Sequence, residues 1–372
     1  MALEIFYPGL RGVIAGETNI SSLDDGLTYR GYCIHDLAAD ATFLEVAHLL
    51  LNEDLPNEEE LADLRSLILE EAELPAPVLA TLESLPMNVA PLDALRTGIG
   101  LMSHFDLQPA DGPLHGGQAQ AIRLLARAPM LAAAWVRGRR GLPLLESQVH
   151  LGYGANLFYL LTGKEPPVLF ERAFEAALIA AAEQEFNPST FAARLVGSTG
   201  GDIFSAVSAA LAARSGDRHG GGDDRVLNIL EEVETPDRAV AWAEAHSGPE
   251  NVLPGFGHPV FKECDPRAAV LETYCAELAE GCGQTAAEET ADAVERAVWE
   301  VRREPANIDW SFVRLMSYLG LPRDAITIVF VLARMVGWCA HAIEQAETGQ
   351  VIRPRARYRG VETREYIPLC MR

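Results

Sequence analysis

In residues 254–267, PGFGHPVFKECDPR, one histidine stands between two glycines and two cations. Gly255 and Gly257 lack a Cβ, so the backbone there can turn sharply and approach a ligand closely. A neutral His258 can donate one hydrogen bond, and Lys262 and Arg267 can hold anions. Such a loop suits a phosphorylated or carboxylated ligand. Taken alone, Gly-X-Gly-His is too short to separate that site from a capped turn with an incidental histidine. Three further segments offer matching chemistry. Residues 217–222, DRHGGG, place His219 before three glycines, and residues 307–310, NIDW, set Asp309 beside an aromatic ring. Residues 351–360, VIRPRARYRG, carry Arg353, Arg355, Arg357 and Arg359. In an extended chain these four share one face, as an anion site or as a solvated basic patch.

Helical punctuation surrounds these segments. Asn57 followed by Glu60 forms an N-cap with its capping-box partner, and Leu61, Leu64, Ile68 and Leu69 follow at helical spacing. A helix over 171–185 is rich in alanine, which lets neighbouring helices approach closely. Further helices are predicted over 203–214, 225–232, 267–280, 286–303 and 323–345, the last with Pro322 in its first turn. Strand signals are few and mostly terminal, near 13–20 and 351–358. The pattern predicts an all-α, mainly helical protein. Glycine-rich 216–222 and the 320–322 turn flank an intervening segment, so two lobes are expected. The larger comprises 1–218 and 321–372, the smaller 219–320, with hinges near 216–222 and 320–322.

Bulk composition removes several classes. The 30 Lys and Arg against 53 Asp and Glu give a net charge of -23. That argues against a nucleic-acid partner, which needs a basic face, and against docking on anionic membranes. At 49% hydrophobic and 22% charged, the chain can bury an ordinary globular core. Cysteines 33, 264, 275, 282, 339 and 370 form no C-x-x-C pair or zinc spacing, and the nine histidines are scattered. No metal is expected, whereas reduced, buried thiols in a cytoplasmic protein are. The first residues lack the basic and apolar regions of a secretory signal. Residues 326–343 are apolar enough to suggest a membrane span. Arg334 near the centre would cost about 2.5–3.5 kcal/mol there, so a buried helix is predicted, in which Arg334 requires an anionic partner. No G-x-G-x-x-G opens a βαβ unit and no G-x-x-x-x-G-K-[ST] occurs, so dehydrogenase and kinase readings lack support.

Taken in order, the segments resemble the citrate synthase family. The resemblance rests on GLRGVIAGETNIS followed by YRGYCIHDLA, EFNPSTFAAR at 185–194, PGFGHPVFKECDPRA, and ARMVGWCAHAIEQ followed by IRPRA. It covers essentially the whole chain. It implies a two-lobed helical homodimer that condenses acetyl-CoA with oxaloacetate and hydrolyses the citryl-CoA thioester. No tightly bound cofactor is implied; a coenzyme A thioester is the co-substrate. Enolising a thioester methyl needs a base together with a donor on its carbonyl. By the resemblance Asp309 is that base, His219 the donor, and His258 the donor to the ketone of oxaloacetate. Gln184, Arg267, Arg334 and Arg353 hold the dicarboxylate, where guanidinium forks fix geometry as well as charge. Gly255, Phe256, Gly257 and Lys262 lie at coenzyme A. His115, in GPLHGG, looks closer to the family's catalytic string than His219 does, but it precedes EFNPST, whereas the family's histidine follows that string after one helix. Order therefore selects His219. The chain departs from the family at Gln184, where a histidine is usual, at Arg218 and Pro259, and at Asp223 and Asp224 near the expected coenzyme A groove. The alternatives are a 2-methylcitrate synthase using propionyl-CoA and a catalytically weakened paralogue acting as a structural or regulatory dimer.

Overall fold

Helices dominate the computed structural model, which describes residues 6–10, 12–24, 26–106, 116–220, 225–248 and 251–372. His115, Asp223 and Asp224 lie outside the described residues. The first five helices are α1 (Ile34–Asp40), α2 (Phe43–Asn52), α3 (Glu58–Glu70), α4 (Ala76–Ser84) and α5 (Pro91–Met102). Then come α6 (Gly116–Gly138), α7 (Tyr153–Thr162), α8 (Val168–Ala181), α9 (Pro188–Ser198) and α10 (Ile203–Arg214). The rest are α11 (Arg225–Val233), α12 (Ala239–Ala245), α13 (Pro266–Gly281), α14 (Thr285–Arg302), α15 (Ile308–Tyr318) and α16 (Arg323–Glu347).

Local chemistry explains many boundaries. At the start of α3 the Asn57 side chain accepts from the N–H groups of Glu59 and Glu60, while Glu60 accepts from the Asn57 N–H. Pro188 and Pro266 open α9 and α13 behind the side-chain caps Asn187 and Asp265. The helix predicted over 171–185 stops at Ala181, because the chain turns there toward α9; Pro322 is the N-cap of α16 and not its first turn. Strands do not form at 13–20 or 351–358. They are β1 (Ser21–Ser22), β2 (Thr28–Tyr29) and β3 (Tyr32–Cys33), antiparallel, with Ser21 opposite Tyr29 and Thr28 opposite Cys33. β-Propensity becomes a strand only where a neighbour satisfies the backbone. The tail after α16 has no such neighbour among the described residues, so its arginines share no strand face. All six thiols are unpaired, but only Cys275 and Cys339 are buried; Cys33, Cys264 and Cys370 are exposed and Cys282 is half-buried. A helical setting alone does not say which face a thiol occupies.

α16 organises the core. Its 25 residues span about 37 Å, and it packs on α2, α5, α6, α8, α9 and α10. Its apolar window is 89% buried in the protein, as a core helix requires. A Cβ on Gly197 of α9 would lie 2.6 Å from Ala342 O, and one on Gly337 of α16 would lie 2.4 Å from Ala182 O. These two close approaches seat α9 and the end of α8 on α16. A buried polar chain reinforces them. Arg194 donates to Gln345 Oε1 at 3.0 Å and to His341 Nδ1 at 2.9 Å, and His341 Nε2 donates to Glu183 Oε1 at 2.8 Å. Helices α11 to α15 pack on one another and reach the remainder chiefly through α13 and α15, which lie on α1, α8 and α16.

Candidate active site

Residues 183–189, 214–220 and 255–267 and the start of α15 converge. A backbone strap joins two of them: Gly257 N–H donates to Pro305 O at 2.8 Å, and Asn307 N–H donates to Gly255 O at 2.9 Å. Asn307 Nδ2 adds a bond to Gly257 O at 2.9 Å. Gly255 and Gly257 have φ of +83° and +72°, and a Cβ on Gly255 would press to 3.0 Å from Trp310, so glycine is required at this crossing. The strap holds the His258 loop beside Asp309. Phe256 is buried against Trp310, with ring centroids 4.6 Å apart, so it braces the loop from within. Lys262 is exposed, and its Nζ donates to His258 O at 2.7 Å.

The two imidazoles are held neutral with defined tautomers. His258 Nδ1 accepts from the N–H groups of Val260 at 3.2 Å and Phe261 at 3.0 Å, which places the ring hydrogen on Nε2. Burial and then Arg267 push its pKa down to about 4. His219 Nε2 accepts from Ser189 N–H, in the first turn of α9, at 3.1 Å, so its hydrogen resides on Nδ1. Burial, Arg214 and Arg334 push it down to about 3. Each ring therefore presents one N–H donor at neutral pH. Asp309 is half-buried in the first turn of α15, where the helix N-terminus favours an anion; its N–H donates to Asn307 Oδ1 at 3.0 Å.

Three buried arginines lie beside this group. Arg267 is 1% exposed and forks onto Asp265, with Nε to Oδ1 at 2.9 Å and Nη2 to Oδ2 at 2.7 Å. Asp265 Oδ2 also accepts from Ile308 N–H at 3.1 Å, tying α13 to α15. Burial raises the Asp265 pKa, but Arg267 outweighs it and holds the carboxyl below its ordinary range. Arg334 is 3% exposed; its Nε donates to Ala181 O and its Nη2 has no hydrogen-bond partner. The anionic partner expected for it is not an ion pair: among the described residues no carboxylate lies within bonding reach, although Glu183 acts on it through space. Burial and then Arg267 push Arg334 down to about 10. Arg214, 3% exposed, completes the trio, with Nη2 3.7 Å from Asp309 Oδ1.

Gln184 bridges the cluster awkwardly. Its Oε1 accepts from Arg267 Nη1 at 3.0 Å, and its Nε2 lies 2.5 Å from His258 Nε2. Both neighbours are donors, so one carbonyl oxygen serves only one of them. Turning the amide over would satisfy His258 and strand Arg267. Arg353 does not join the cluster within the chain. It is exposed, one residue beyond the bond from Ile352 N–H to Ser198 Oγ, about 14 Å along α9 from Ser189. Sequence reasoning missed Asp265, Ser189 and Arg214. Asp265 carried a signal, since Asp before Pro marks a helix start; the other two contacts depend on folding alone.

Residues 9–355 match the family described as citrate synthase, C-terminal domain. The chain belongs to the citrate synthase family. It is 36% identical over 363 residues to citrate synthase 2 of Bacillus subtilis (strain 168), covering 97% of this chain and 98% of that one. It is 34% identical over 371 residues to 2-methylcitrate synthase of Shewanella oneidensis, covering 98% and 97%. Its backbone is similar, with a TM-score of 0.91 at 25% identity and 99% and 100% coverage, to citrate synthase of Thermoplasma acidophilum in ternary complex with carboxymethyl coenzyme A and oxaloacetate. The expected all-α fold and family are thus both shown, and the chain is a condensing enzyme of the citrate synthase type. Among the described residues of this citrate synthase-like enzyme, no three His, Cys, Asp or Glu side chains group as a metal site.

Proposed function

We propose that the chain condenses acetyl-CoA with oxaloacetate and hydrolyses the citryl-CoA thioester to citrate and coenzyme A. The supporting observation is a buried surplus of donors. Arg334 Nη2 lacks an acceptor, and Gln184 offers one oxygen to two donors. A keto diacid brings the missing acceptors, since unpaired buried donors are costly. Arg267 and Arg334 hold its carboxylates, and His258 Nε2–H polarises its ketone. The thioester oxygen of acetyl-CoA accepts from His219 Nδ1–H while Asp309 takes a methyl proton. The C–H electron pair becomes the C=C bond of an enolate whose oxygen is held by His219 Nδ1–H. Its carbon attacks the ketone carbon as the thioester C=O re-forms, and the ketone π pair becomes an alkoxide that is protonated from the His258 side. Water then adds to the thioester carbonyl, and the C–S bond breaks to release the thiol. The glycine strap and Lys262 lie where coenzyme A would enter, with Phe256 as their support. The enzyme needs no tightly bound cofactor for these steps.

Larger and smaller lobes hinged near 216–222 and 320–322 fit this scheme, because Gln184 and Arg334 belong to the first and His258, Arg267 and Asp309 to the second. A homodimer would cover Tyr358, Val361, Tyr366, Ile367, Leu369 and Met371, all exposed on the tail, and would bring Arg353 to the site of the second copy. Six unpaired thiols suit a reducing cytoplasm. Propionyl-CoA differs by one methylene, worth about 1–3 kcal/mol of discrimination, so both acyl-CoAs belong in the test. Purified protein should release thiol from acetyl-CoA or propionyl-CoA only when oxaloacetate is present. No oxaloacetate-dependent release from either thioester would sink the proposal.

A further inference from the structure

We propose that Arg214 is a positioning residue that joins the two halves of the enolisation machinery, an inference that rests on the reaction proposed above. Arg214 is the last residue of α10. Its Nη1 donates to His219 O at 2.7 Å, its Nη2 lies 3.7 Å from Asp309 Oδ1, and its guanidinium covers the Phe330 ring at 4.5 Å. One planar fork thus hydrogen-bonds the main chain of the thioester donor and stands within ion-pair reach of the carboxylate of the base, two residues far apart in the sequence. The surrounding loop is shaped to admit it. A Cβ on residue 220 would fall 0.6 Å from Arg214 Nη1, and Gly220 has a φ of +137° that side-chain-bearing residues rarely adopt.

The consequence for catalysis follows from where charge moves. When Asp309 takes the methyl proton, negative charge leaves its carboxylate and builds on the thioester oxygen at His219. A guanidinium held against both sites attracts that charge at either end. It also fixes the separation of base and donor, and in such geometry a 1 Å misplacement costs about 10²-fold in rate. Arg214 acts through Asp309 and His219, whereas Arg267 and Arg334 face the keto acid. Its loss should therefore lower turnover and spare oxaloacetate binding.

Arg214→Gln keeps a donor for His219 O and removes the charge. With acetyl-CoA and oxaloacetate, its kcat should fall about 10²-fold while the KM for oxaloacetate stays within about twofold. Arg214→Lys retains charge without the fork and covers the case in which Arg214→Gln does not fold; about a tenfold loss of kcat is expected, again with the oxaloacetate KM unchanged. Guanidinium ion added to Arg214→Ala should restore part of the turnover, which a general structural defect would not allow. A folded Arg214→Gln, or failing that Arg214→Lys, with kcat within about threefold of wild type overturns the inference. So does a rise in oxaloacetate KM that matches the fall in kcat/KM, which would mark a substrate ligand. If wild-type protein shows no oxaloacetate-dependent thiol release, the reaction itself is wrong and this role falls with it.

Discussion

Asp265→Asn removes one charge and almost no volume, yet it should destabilise the protein substantially. Asp265 is 1% exposed and accepts from Arg267 N–H at 3.1 Å, Arg267 Nε at 2.9 Å, Arg267 Nη2 at 2.7 Å and Ile308 N–H at 3.1 Å. An asparagine serves the first two with its one carbonyl oxygen and turns an NH₂ toward the other two donors. Arg267 then remains buried without its counter-ion, close to Arg334, and breaking such a pair costs about 3–5 kcal/mol. At about 2.1 cal/mol/K per residue, 372 residues give an unfolding entropy near 0.8 kcal/mol/K, so about 4 kcal/mol corresponds to about 5 °C in Tm. Thermal unfolding followed by circular dichroism measures the shift. The folded pKa of Asp265 is depressed. Its contribution is therefore present above the unfolded value of about 3.9 and is lost as pH falls through the folded value. The gap between wild type and variant should stay constant from about pH 6 to 8 and close only in acid. A variant within about 1 °C of wild type would show that desolvation cancels the attraction, and the reasoning would fail.

Asp309→Asn should lower turnover by about 10²–10⁴-fold with oxaloacetate binding retained, as titration calorimetry can check; near-normal turnover would remove Asp309 from the base role. Arg334→Leu suits the apolar surface of α16 and should fold, but lose oxaloacetate affinity by about tenfold or more, the equivalent of 1.4 kcal/mol or above for a charged hydrogen bond. An unfolded variant would instead mark Arg334 as structural. Gln184→His places an imidazole beside Arg267, the setting that, after burial, pushes His258 down to about 4. The new ring should stay neutral in the empty site at pH 7, so the oxaloacetate KM should change by less than about tenfold. A larger gain, or improved use of a different 2-oxo acid, would identify Gln184 as a specificity residue.

Helix content and many boundaries were legible because they rest on local physics: the capping box at Asn57, proline at helix starts, apolar spacing along α3 and α16. The all-α class followed from the same signals. Candidate residues were legible as an ordered set of motifs, and the fold brings His219, His258, Asp309, Arg267, Arg334 and Gln184 together. What stayed hidden was set by tertiary contact. Nothing local distinguishes Arg214 from a solvent-facing arginine at a helix end until Gly220 wraps around it. The tautomer of His219 depends on Ser189, thirty positions away in sequence. The tail reads as a strand from its composition and forms none, because strand identity requires a partner that none of the described residues supplies.

The buried cations of the site sit beneath an exterior of opposite sign. Among the described residues seven arginines are buried, against only Glu183, Asp265 and Glu288 of the acids, so the exterior is more acidic than the net charge of -23 states. Both proposed substrates are polyanions. At low ionic strength the long-range field repels them from the surface, and only the last few ångströms become attractive. Added salt shortens the screening length from about 10 Å at 0.1 M to about 3 Å at 1 M. It thereby weakens the repulsion far more than it weakens contacts with buried guanidinium groups. The second-order rate constant kcat/KM should therefore rise with sodium chloride over roughly 0.05–0.5 M, opposite to the fall seen where attractive steering governs encounter. A monotonic decrease over that range would mean that a local positive corridor overrides the acidic exterior. A rise would make this an enzyme whose capture of substrate improves in brine.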